Sequence, residues 1–110
     1  NEPLFATQPK VAVLTSKWTV SSSEIVATCL KGRPNTKFFG EMTGSYTTNN
    51  NWEIINNEVI VNISTGVFCD RNGVSYKYNI PVDVEIPFKV IKETEKDNCI
   101  IEAKKWLTEK

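Results

Sequence analysis

The 110 residues, 40% of them apolar and 24% charged, suffice for one compact domain over residues 1–110 with a modest core. Thirteen basic residues balance 13 acidic ones, so the basic surplus that phosphate binding needs is missing and nucleic acid is excluded as a partner. No apolar run approaches membrane-spanning length, and the chain contains no histidine.

The start, Asn1-Glu2-Pro3-Leu4-Phe5, resembles neither a signal peptide nor an initiation site, so the chain reads as a C-terminal piece whose first partner is the remainder of its parent chain. Val11-Ala12-Val13-Leu14 predicts a short buried strand, and Ile25, Ala27, Cys29 and Leu30 recur on helical spacing just after it. Between them lies Thr19-Val20-Ser21-Ser22-Ser23-Glu24. Ser21 and Glu24 form the sequence signature of a capping box, with Val20 and Ile25 as its hydrophobic staple, and this accounts for every side chain of the junction. The same junction suits a serine nucleophile, because first-turn N–H groups lack intrahelical partners and can hold an oxyanion. Both readings stand on the local pattern.

Residues 43–51 read as a polar surface loop. Two hairpins follow: residues 52–55 and 58–63 around a tight Asn56-Asn57 turn with positive φ, then residues 67–69 and 74–78 around Asp70-Arg71-Asn72-Gly73. Asp70 and Asp83 are explained by turn and strand-end placement. Asp97 or Thr94 caps a final helix whose apolar face, Cys99, Ala103, Trp106 and Leu107, docks on the sheet, with Lys104 and Lys105 on its solvated side. Cys29, Cys69 and Cys99 are too widely spaced for a metal site or a disulfide framework and read as small core residues; no metal or other cofactor is expected. Asn62-Ile63-Ser64 matches a glycosylation sequon but falls inside a predicted strand.

Residues 11–15, the run Ser21-Ser22-Ser23-Glu24-Ile25-Val26-Ala27, the Lys31-Gly32-Arg33-Pro34 connection, Gly40-Glu41-Met42-Thr43, Pro81-Asp83 and the terminal helix together resemble peptidase family S41, the tail-specific (C-terminal processing) and tricorn-like serine proteases. The resemblance implies an α/β fold, a fragment of the ClpP/crotonase-like ββα-superhelix, with a mixed sheet, a nucleophile-bearing helix and a C-terminal helix. It implies Ser21 as nucleophile and the Ser22 backbone N–H as one oxyanion donor, acting on a polypeptide substrate in an extracytoplasmic or cell-envelope setting. Two departures matter. Tyr46 stands where processing proteases carry a general-base lysine, and the histidine of the tricorn-like branch is absent, so the chain by itself lacks the base a serine needs and is expected to be inactive. The alternative is a non-catalytic ligand- or peptide-binding module of the same fold.

Overall fold

A computed structural model describes residues 8–90, 92 and 96–109. In chain order the elements are β1 (Val11–Thr15), α1 (Ser22–Leu30), β2 (Thr36–Gly40), β3 (Thr48–Ile54), β4 (Ile60–Val67), β5 (Val84–Glu85) and α2 (Asn98–Thr108). β1 and β2 pair in parallel from Val11–Thr36 to Thr15–Gly40, and the crossover that a parallel pair requires is α1. β5 adds to the other edge of β2, also in parallel, so β2 is central in the order β1-β2-β5.

Successive residues of a strand face opposite sides, and β2 uses this to organise the core. Phe38 packs with Ala27 of α1 and with Ile80, while Phe39 meets Trp106 of α2 at a centroid separation of 5.9 Å. Both phenylalanines are buried, so the sheet lies between the two helices. Asp83 fastens β2 from below by accepting the Phe38 N–H at 2.7 Å. α2 begins as expected: the Asp97 carboxylate accepts the Cys99 N–H at 2.8 Å, Ala103 is buried, and Leu107 is the exposed edge of its apolar face. Thr94 lies outside the described residues.

The fold is mixed α/β, yet its sheet is not mixed. The described residues form a purely parallel three-stranded sheet and a separate antiparallel ribbon, β3-β4. β3 begins at Thr48, so the second half of the expected loop over 43–51 is strand: Thr48 pairs with Val67, Asn49 with Gly66, Asn50 with Ser64 and Asn51 with Ile63. Cross-strand pairing overrides the poor strand preference of three successive asparagines. Thr43 and Thr47, in the first half, are buried. The turn at Asn56 forms differently from expectation. Neither Asn56 nor Asn57 has positive φ; instead the Asn56 side chain accepts the N–H groups of Glu58 and Val59, and Ile55 N–H reaches Val59 carbonyl. The second hairpin reduces to a single bridge, Cys69 with Ser75.

α1 also departs from the apolar-spacing expectation. Its buried residues are Glu24, Ala27 and Thr28, which places Ile25, Val26 and Cys29 on the exposed side. Cys69 is exposed as well, Cys99 half-buried, and all three thiols are free, so the reading of Cys29 and Cys69 as core residues is corrected. Helical spacing identifies a stripe but does not say whether other parts of this chain cover it.

Candidate active site

The strand-to-helix junction forms at the C-terminal end of the parallel strands, where open α/β sheets place their ligand sites. After Thr15 the chain turns through residues 16–20, closed by Thr19 N–H to the Ser16 carbonyl (2.8 Å) and Ser16 N–H to Thr19 Oγ1 (3.0 Å). Ser21 follows as the N-cap of α1, with φ 54° and ψ −117°, a region that side chains other than glycine rarely occupy. Its backbone is held from two sides. Its carbonyl accepts the Glu24 N–H at 2.8 Å, and its N–H donates to Glu24 Oε2 at 2.9 Å. The arrangement is that of a capping box, and the Ser21 side chain at its head is exposed. Ser22 N–H, at the first helical position, has no partner among the described residues.

Gly40-Glu41-Met42-Thr43 runs alongside. Gly40, at φ 114°, passes against the Thr15 carbonyl so closely that a Cβ would collide with it. Thr15 and Glu41 are then joined twice, Glu41 N–H to the Thr15 carbonyl (3.0 Å) and Thr15 Oγ1 to the Glu41 carbonyl (2.8 Å). The half-buried Glu41 accepts, through its carboxylate, the N–H groups of Phe88 (3.0 Å) and Lys17 (3.4 Å); the Phe88 bond chiefly holds it below the usual carboxylate range, outweighing desolvation. Thr43 Oγ1 accepts the Ile80 N–H at 2.9 Å. Residues 44–46 thereby come to rest on the serine turn. Gly44 N–H donates to the Thr19 carbonyl at 2.9 Å, and Gly44 lies too close to Val20 and the Lys17 carbonyl to tolerate a side chain. Tyr46 keeps its ring exposed.

Beside this turn is a cleft of about 470 Å³, walled by Leu14, Thr15, Thr19, Ile86, Phe88 and Cys99 among others. Burial, then the charge of Asp97, pushes the Cys99 thiol up from its ordinary ionisation, which makes it a poor nucleophile. No local pattern in the sequence marks this cleft, because its walls come from β1, the chain after β5 and the start of α2. Asp70 and Asp83 lie away from it and do structural work. Asp70 accepts from Asn72, Val74 and the Tyr76 hydroxyl, and Asp83 from Phe38.

An exposed serine at a strained strand-to-helix turn, with an unpartnered N–H next to it and an adjacent cleft, is an arrangement that acyl transfer can use. Comparison with known proteins identifies the class. The sequence profile of peptidase family S41 matches residues 1–86, and the chain belongs to that family. It is similar to the nisin-resistance protein of Lactococcus lactis subsp. lactis, 34% identical over 76 residues that make up 69% of this chain and 24% of that protein. It is also similar to the solved structure of a lipoprotein from Streptococcus agalactiae, with a TM-score of 0.70 and 28% identity over 92% of this chain and 32% of that one. The chain thus spans about a quarter to a third of the length of these relatives.

Proposed function

We propose that this chain supplies the nucleophile half of a serine peptidase and forms the C-terminal portion of an S41 catalytic domain of ClpP/crotonase-like ββα-superhelix type. Ser21 Oγ attacks the carbonyl of an extended polypeptide lying in the cleft beside Thr19. The Ser22 N–H, unpartnered at the start of α1, donates to the tetrahedral oxyanion, and collapse releases the amine and leaves an acyl-enzyme that water hydrolyses. The observation that carries this reading is the backbone of Ser21: φ 54° at an exposed serine is not what a helix cap ordinarily adopts and suits the presentation of a nucleophile.

The chain has no histidine, and Tyr46 stands at the position of the processing-protease lysine, so the general base comes from elsewhere in the full-length protein, in the manner of the tricorn-like branch. The two relatives, a lipoprotein and a nisin-resistance protein, support a cell-envelope setting. The test is labelling of the full-length protein with a fluorophosphonate. Wild type is expected to label at one serine and Ser21→Ala not at all. Equal labelling of Ser21→Ala would remove the assignment and leave the ligand-binding module of the same fold as the better reading.

A further inference from the structure

Glu24 is entirely buried, at 0% exposure, and its carboxylate has only backbone N–H partners. Oε2 accepts the Ser21 N–H and the Tyr46 N–H, each at 2.9 Å, and Oε1 accepts the Ser45 N–H at 3.2 Å. A capping box needs the first of these bonds alone and ordinarily leaves the glutamate on the helix surface. Here two of the three bonds go to a loop more than 20 residues away. Two of the three donors, Ser21 and Ser45, have positive φ, at 54° and 72°. Buried charge is tolerated only when it is fully hydrogen-bonded, and the start of a helix adds a favourable dipole, so the site accommodates a carboxylate and little else.

We propose that Glu24 is a positioning residue that clamps the serine turn and the 44–46 loop into one rigid unit, so that the Ser21 hydroxyl is held in a fixed attack geometry. The inference rests on the serine-nucleophile reading above. Without the carboxylate three N–H groups lose their acceptor, and the Ser21 backbone relaxes from its strained φ, which carries the hydroxyl out of the attack geometry. Substrate contact depends on the cleft walls, which do not include Glu24, so the chemical step suffers and binding does not.

The experiment follows fluorophosphonate labelling of the full-length protein and separates the maximal inactivation rate from the half-saturating concentration. Glu24→Gln puts an amide N–H against at least one backbone N–H, and misplacement of a nucleophile by a fraction of an ångström to an ångström slows attack on the order of 10- to 100-fold. The expected result is that loss in the maximal rate with the half-saturating concentration changed by less than about twofold. Glu24→Asp keeps the charge and helix-start preference but not the reach, and is expected to show the same split if the glutamine variant does not fold. Thr28→Val, which removes the buried hydroxyl bond to the Glu24 carbonyl one turn further along, is a control for lost stability and should label normally. Wild-type rates in the Glu24 variants, or an equal loss in Thr28→Val, overturn the clamp. Continued labelling of Ser21→Ala overturns the peptidase reading beneath it, a separately visible result.

Discussion

Holding a residue other than glycine at the φ and ψ of Ser21 costs about 1–3 kcal/mol, and the structure supplies the restraint through Glu24 and the Gly44 contact. This gives a stability test that divides the two uses of Ser21. If the hydroxyl were an ordinary cap, Ser21→Ala would cost about 1 kcal/mol and Ser21→Gly a few tenths. With the backbone strain set against the cap, Ser21→Ala is expected to leave the thermal midpoint nearly unchanged. Ser21→Gly is expected to raise it, by several degrees for about 1 kcal/mol in a domain of this size. A fall in both midpoints would return Ser21 to a capping role. The Ser21–Glu24 relation was legible in the sequence because it is local. The reach of Glu24 to Ser45 and Tyr46 was not, since nothing in the spacing of residues 24 and 46 tells that Gly44 will lie on the Lys17 carbonyl.

Among the elements, those set by local pattern were readable and those set by distant partners were not. Apolar β1, the helix after it and the capped α2 formed where the residues indicated, whereas the outward turn of Ile25 and Cys29 and the start of β3 at Thr48 depend on what packs or pairs across the fold. The connection after β4 illustrates a cost that sequence also conceals. The Tyr76 hydroxyl donates to Asp70 Oδ2 at 3.0 Å, and burial, reinforced by that bond and by the charges of Asp70 and Asp83, pushes its ionisation from 10.0 up to about 12. A phenol whose ionisation is raised by folding stabilises the fold fully below pH 10, and loses that contribution as pH climbs to about 12. Lys31, lowered by burial against the pull of Asp83 and Asp70, acts in the opposite direction below 10.5, so the window to read is above that value. Chemical denaturation across pH 10.5–12 should show a steep loss of stability in wild type and a shallower one in Tyr76→Phe; parallel slopes would mean the pair contributes nothing.

At the scale of the molecule, the 110-residue chain is far from close-packed. Its radius of gyration is 17.5 Å, against about 13 Å for a compact domain of this length. Its accessible surface is 8443 Å², against about 6100 Å² for a compact monomer of 12.4 kDa. Part of the excess is the β3-β4 ribbon, where Trp52 and Ile54 alternate on one face, opposite Asn62 and Ile60, and Ile55 and Val59 add to the tip. Trp52 is 71% exposed and Ile54 74%, which leaves a large apolar surface in water. The chain taken alone is therefore expected to bind an apolar dye such as anilinonaphthalene sulfonate and to associate as concentration rises. Because the two strands pack mainly on each other, replacing Trp52 and Ile54 together with lysine should lower dye binding and association while moving the thermal midpoint little. In the full-length protein the same double variant is expected to be destabilised, as lysines placed under a packed neighbouring surface would be. Equal dye binding before and after substitution would show that the ribbon is not the exposed apolar surface, and an unperturbed full-length variant would show that nothing seats on it.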